Sequence, residues 1–121
     1  MTVRRVLVVE DEAVAAATMR RVLARAGHEV RTAATCAEAL TAVTTWQPDL
    51  VFLDRQLPDG DGLEVAAALK HVHGVARVVL LTGDVFAPDH DAVDAVLVKP
   101  IGVRTLLAAA DPASPPAQAG E

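Results

Sequence analysis

The chain predicts an α/β domain built on a parallel sheet. Four uninterrupted apolar runs, Val6-Leu7-Val8-Val9, Leu50-Val51-Phe52-Leu53, Val78-Val79-Leu80-Leu81 and Ala95-Val96-Leu97-Val98, read as strands, the first of the kind buried on both faces and the second also buried. Segments of helical spacing lie between them, the alternation that crossover helices on a parallel sheet produce. Each run gives way to a polar group: Glu10-Asp11, Asp54, Thr82 and Lys99. Parallel strands would deliver all of these to one edge of the sheet.

After the first run, apolar Ala15, Met19, Val22, Leu23 and Ala26 recur at helical spacing from Glu12 to Ala26, with Gly27 as the stop signal. His28 to Ala33 alternates as an outer strand does. Thr35-Cys36-Ala37-Glu38 has the spacing of a capping box, and the helix it opens runs to about Trp46, with Pro48 marking the break. The turn-rich Leu57-Pro58-Asp59-Gly60-Asp61-Gly62 precedes a helix from Leu63 to Val72. The segment Asp111 to Glu121 is rich in Pro and small residues, so the domain is expected over residues 1–110 and a mobile tail over 111–121.

Composition narrows the function classes. A chain of 121 residues with 52% hydrophobic residues suffices for one aliphatic core, since it has two Phe, one Trp and no Tyr. Eleven Lys and Arg against 16 Asp and Glu leave a net charge of −5, from which direct nucleic-acid binding is not expected. Cys36 is the single cysteine and has no internal disulfide partner. No run reaches bilayer length and the first nine residues lack a secretory pattern, so no membrane association and a cytoplasmic location are expected.

In a doubly wound sheet, ligands gather outside the carboxyl ends of the strands. Three carboxylates brought there repel by about 4 kcal/mol per close pair at an effective dielectric of 20, a repulsion that a divalent cation relieves. Hard oxygen donors favour Mg²⁺, which keeps open positions for a phosphoryl oxygen and suits the site to phosphoryl transfer. Asp54, on the central acid-ended run, is the candidate nucleophile. Glu10 and Asp11 are the candidate metal ligands, and Lys99 would offset charge on the transferred group.

Glu10-Asp11, Leu53-Asp54-Arg55-Gln56-Leu57-Pro58-Asp59-Gly60-Asp61-Gly62, Leu81-Thr82-Gly83 and Val98-Lys99-Pro100 closely resemble the receiver domain of bacterial two-component response regulators, over roughly Arg4 to Ala110. The resemblance implies a flavodoxin-like, doubly wound five-stranded parallel sheet of order 2-1-3-4-5 with helices on both faces. It implies that Asp54 takes a phosphoryl group from a sensor histidine kinase or a histidine phosphotransfer protein. Asp11, Asp54 and the Gln56 carbonyl would hold Mg²⁺, with Glu10 acting partly through water, and Thr82 and Lys99 would contact the phosphoryl oxygens. It further implies a cis peptide before Pro100 and a small residue at Gly83, where bulk would block the site.

Two departures stand out. Val96 occupies the position, three before the lysine, where receivers commonly carry Tyr or Phe. The interval from Thr82 to Lys99 is short, and Phe86 to Asp94 has little helical pattern, so the fourth helix of the family is expected to be truncated or absent. Partner contact is then expected on the first helix or on the last. Gln56 and Asp84, two residues after Asp54 and Thr82, are compatible with a short-lived phosphorylated state.

Two other functions compete. A pseudo-receiver that binds a partner without phosphorylation is motivated by Val96 and the shortened interval. A phosphatase of the haloacid dehalogenase type needs a second acid two residues after the nucleophile, and Gln56 stands there. The cognate kinase, the downstream protein and the oligomeric state are not written in the chain. Asp59 to Gly62 does not make a calcium loop, because alignment on Gly62 places Leu57 and Ala68 at its ligand positions. His28, His71, His73 and His90 read as surface residues.

Overall fold

Five strands run parallel in one sheet: β1 (Arg5–Val9), β2 (Glu29–Ala33), β3 (Leu50–Asp54), β4 (Arg77–Thr82) and β5 (Ala95–Val98). The computed structural model describes residues 4–84 and 91–111. The strand order is β2-β1-β3-β4-β5, as the family resemblance implies. Among the described residues there are four α-helices: α1 (Ala13–Arg25), α2 (Cys36–Thr45), α3 (Gly62–Ala67) and the short α4 (Val103–Ala110).

The apolar runs of β1, β3 and β4 are uninterrupted because both faces of the sheet are covered there, whereas β5 is the second edge strand and leaves Val96 and Val98 exposed. Leu7, Val9, Val51, Leu53, Val78 and Leu80 share one core with Ala39 and Val43 of α2 and Val65 and Ala66 of α3. The alternate residues Val6, Val8, Leu50, Phe52, Val79 and Leu81 pack on the opposite face with Leu23 of α1 and Leu106 and Ala110 of α4. Period-two alternation thus sends neighbouring residues of one strand into two separate cores. β2 is an edge strand, mostly exposed, and reads accordingly.

Local signals set the helix ends. The Glu12 carboxylate accepts from the amides of Val14 and Ala15 and so caps α1. At its far end Gly27 takes φ 99°, and His28 N–H donates to Leu23 O while Gly27 N–H donates to Ala24 O, a Schellman arrangement. The capping box forms around Thr35, whose Oγ1 accepts from Glu38 N at 3.0 Å. The Glu38 carboxylate reaches back one residue further than the pattern predicts, to Ala34 N. Trp46 closes α2 and is buried, with the Arg31 guanidinium 4.6 Å above its ring.

Two differences from the sequence reading have physical causes. The helix expected over Leu63 to Val72 is α-helical only to Ala67 and continues as a π-helix over Ala68–Val72. At that end Lys70 pairs with Asp94 and also donates to Ala76 O, tying the π segment to the chain entering β5. His28 is half-buried rather than superficial, its Nδ1 accepting from Arg4 N at 3.3 Å, and burial pulls its pKa down. Of the interval expected to lack a full helix, Asp91 to Asp94 are non-helical and residues 85–90 lie outside the described residues. The expected tail lies outside them too, except for Asp111. No helix among the described residues is long and apolar enough to cross a membrane.

Candidate functional site

Strand register sets the site. Val9 pairs with Leu53, Asp54 with Leu81 and Thr82 with Val98, so β1, β3, β4 and β5 all end at the same edge. Backbone bonds carry the alignment one residue beyond the strands. Glu10 N–H donates to Ala33 O, Arg55 N–H to Leu81 O, and Lys99 N–H to Thr82 O at 2.7 Å. The Lys99-Pro100 peptide is cis, as the resemblance implies.

Glu10, Asp11, Asp54, Gln56, Thr82 and Lys99 line one cavity of about 1130 Å³ at this edge. One carboxylate oxygen from each of Glu10, Asp11 and Asp54 lies within 4.8 Å of the other two. Glu10, Asp54 and Thr82 are buried, whereas Asp11 is exposed. Lys99 Nζ donates to Asp54 Oδ2 at 3.0 Å and to Glu10 Oε1 at 3.1 Å. Asp54 Oδ1 accepts from Gln56 N at 3.3 Å, Glu10 Oε2 accepts from Glu12 N at 3.2 Å, and Thr82 Oγ1 accepts from Asp84 N at 3.0 Å.

The electrostatics follow from crowding. Burial, joined by the adjacent Asp54 carboxylate, holds Glu10 above the ordinary carboxylate range against the pull of Lys99 and the Glu12 amide. Burial opposes the charge on Lys99, but hydrogen bonds to Asp54 and Glu10 outweigh it and leave its pKa raised. One ammonium is therefore shared by two buried carboxylates, and a third carboxylate stands beside them. Clustered hard oxygen donors of this kind fit a small divalent cation better than a softer metal.

The loop after β3 is held by contacts that the sequence reading did not anticipate. Gln56–Leu57 pairs antiparallel with Gly60–Asp61 in a small ribbon. Asp61 caps α3 by accepting from Leu63 N, and Asp59 accepts from Cys36 N at 2.8 Å and Ala37 N at 3.0 Å, docking the ribbon onto the start of α2. Gly62 is required by close approach: a Cβ there would lie 2.3 Å from Asp54 O. Gly83 is different, since a Cβ there would meet nothing within 4 Å, so the protein itself does not demand smallness at that position. The Arg55 guanidinium lies 3.6 Å from Asp61 and 3.7 Å from Asp84. Arg55 and Asp61 share the loop after β3, whereas Asp84 follows β4, so no sequence spacing signals the second pair.

Comparison with known proteins agrees with this geometry. The family model of the response regulator receiver domain matches residues 6–111. The chain is 36% identical over 113 residues to the transcriptional regulatory protein PrrA of Mycobacterium tuberculosis, covering 89% of this chain and 48% of that protein. It is 35% identical over 109 residues to the DNA-binding response regulator MtrA of Mycobacterium leprae, covering 87% and 48%. Among solved structures, the chemotaxis response regulator CheY4 of Vibrio cholerae superposes with a TM-score of 0.80 at 27% identity, covering 90% of this chain and 97% of that one.

The chain spans about half the length of the curated relatives it matches. Their names overturn the expectation of no nucleic-acid binding. Net charge averages over this stretch alone, whereas phosphate contacts are made by a local basic surface, and half of each relative lies outside the match.

Proposed function

The chain belongs to the response regulator receiver family, and from that premise we propose that it accepts a phosphoryl group on Asp54 from a phosphohistidine of a sensor histidine kinase or histidine phosphotransfer protein. Receiver domains are signalling modules of two-component systems rather than enzymes in the usual sense. This one, in our reading, promotes its own phosphorylation in the cytoplasm.

A carboxylate oxygen of Asp54 attacks phosphorus in line. The new O–P bond forms as the N–P bond to the donor histidine breaks, and the departing imidazole keeps the electron pair and takes up a proton. Lys99, already within hydrogen-bond distance of Asp54, offsets charge on the phosphoryl oxygens, and the Thr82 hydroxyl donates to one of them. The carboxylate cluster fits Mg²⁺, with Asp11, Asp54 and the Gln56 carbonyl as the residues to hold it. Both oxygens of Glu10 already accept hydrogen bonds, which suits it to act through water. When bound, Mg²⁺ supplies positive charge against the phosphoryl oxygens.

The observation that carries this reading is Lys99 Nζ bridging Asp54 and Glu10 inside a cavity that also receives Asp11 and Thr82. For the downstream step we propose control of transcription, as in the names of PrrA and MtrA.

Intact mass after incubation with acetyl phosphate and Mg²⁺ tests the chemistry. The native chain is expected to gain one phosphoryl group, and Asp54→Asn none. Failure of the native chain to gain it would favour a pseudo-receiver, a reading that Val96, partly exposed where receivers commonly carry an aromatic ring, would then support. Steady turnover of small phosphate esters would favour a phosphatase.

A further inference from the structure

The phosphoacceptor reading leaves one cation of the cavity without a role. Among the described residues lining it, the side chains with a fixed positive charge are Lys99 and Arg55. Lys99 is committed at hydrogen-bond distance to Glu10 and Asp54. Arg55 is held differently: its Nε is 3.6 Å from Asp61 Oδ2 and its Nη1 is 3.7 Å from Asp84 Oδ2. Both separations exceed the usual N–H···O range, so each carboxylate attracts the guanidinium without orienting it.

The two partners belong to different loops. Asp61 closes the ribbon after β3 and caps α3. Asp84 follows β4, and its amide donates to Thr82 Oγ1. The guanidinium thus straps the exit of β3 to the exit of β4 at the rim of the cavity. We infer that, once Asp54 carries a phosphoryl group, Arg55 becomes a second cationic contact for that anion and gives up Asp84, so that the charge on Asp54 is transmitted to the loop leaving β4.

The physical case rests on competition, and it depends on the phosphoacceptor reading. A phosphoryl group adds negative charge and three strong acceptor oxygens, and a planar guanidinium matches that geometry with two parallel hydrogen bonds. Against it stands a loose pair to an Asp84 side chain that is about half exposed, the kind of ion pair that stabilises little. Lys99, which the phosphoacceptor reading also sets against the phosphoryl oxygens, has its side-chain partners at Glu10 and Asp54, outside the β4 loop. This route to the β4 loop needs no aromatic ring at Val96.

The test is a mutant cycle on the affinity of the full chain for beryllofluoride with Mg²⁺, a stable mimic of the phosphoryl group, read by calorimetry. Arg55→Gln is expected to weaken binding about tenfold, the size of one charge-assisted contact. Arg55→Lys, which keeps the charge but not the fork, should fall between. Asp84→Asn, by removing the competitor, is expected to tighten binding a few-fold, and Arg55→Gln/Asp84→Asn to bind no better than Arg55→Gln alone. Opposite signs and loss of the Asp84 effect without Arg55 are what a merely structural role would not give. The inference is overturned if Arg55→Gln leaves affinity unchanged, or if Asp84→Asn acts equally with and without Arg55. A native chain that neither binds the mimic nor gains a phosphoryl group on Asp54 would instead remove the phosphoacceptor reading, and this inference with it.

Discussion

Replacing Asp11 by Asn should stabilise the metal-free protein and make it less stable than the native chain once Mg²⁺ is added. Carboxylate oxygens of Glu10, Asp11 and Asp54 lie within 4.8 Å of one another, while the two hydrogen bonds of Lys99 go to Glu10 and Asp54. Two unit charges at that separation repel by about 3.5 kcal/mol at an effective dielectric of 20 and about 0.9 kcal/mol in bulk water. Asp11 is exposed, so each of its two repulsions sits near the lower figure, and the nearby ammonium offsets part of their sum. The expected gain for Asp11→Asn without metal is about 1 kcal/mol, shrinking as salt is raised. Saturating the native site at a hundred times its dissociation constant should add about 2.7 kcal/mol, most of which the variant forfeits. Urea denaturation in chelator and across a Mg²⁺ titration reads both effects, and the two stability curves should cross. A variant less stable than the native chain in chelator, or one stabilised by Mg²⁺ just as strongly, would refute the claim that carboxylate crowding is what the cation relieves.

Gly62→Ala should cost about 3 kcal/mol and lower the melting temperature by roughly 10 °C, because its Cβ would stand 2.3 Å from Asp54 O and backbone cannot yield as a flexible side chain does. Gly83→Ala, whose Cβ meets nothing, should stay within about 0.5 kcal/mol of the native chain, so thermal melts that fail to separate the two variants would contradict the packing of the β3 exit. The Cys36 thiol, pushed up to about 11 by burial and by its hydrogen bond to Asp59, should resist thiol reagents at pH 8 until the protein unfolds. Its pKa is higher folded than unfolded, so its contribution to stability is complete below pH 9 and is lost as pH rises through about 11. Urea midpoints for the native chain should therefore fall more steeply over that window than those for Cys36→Ala, and parallel curves would contradict the assignment.

β1, β3 and β4 and their functional exits were legible because burial on both faces leaves an unbroken apolar run, and the first polar residue after such a run marks where a strand leaves the core. β5 reads the same way although its Val96 and Val98 are exposed. Leu50-Val51-Phe52-Leu53 followed by Asp54 is the plainest case, and the structure brings Asp54 together with Glu10, Asp11, Thr82 and Lys99 at one cavity. Helix ends were legible for the same local reason: Thr35 with Glu38, and Gly27, carry their signals within four residues. The end of α3 was not. The π segment over Ala68–Val72 accompanies the Lys70 to Asp94 pair, whose members are 24 residues apart. The inference from overall charge failed because a sum over residues carries no information on where they lie or on what the rest of a longer relative holds.

By itself the sequence determined which elements form and which residues stand at their exits, since both depend on short-range hydrophobic pattern and on capping chemistry within a turn or two. Only the tertiary structure decided the contacts between exits: Lys99 divided between Asp54 and Glu10, Asp59 docked on the start of α2, and Arg55 poised between Asp61 and Asp84. Apart from Arg55 with Asp61, which share one loop, those contacts join segments separated by tens of residues, and their partners are selected by strand order and register, which no local stretch of chain encodes.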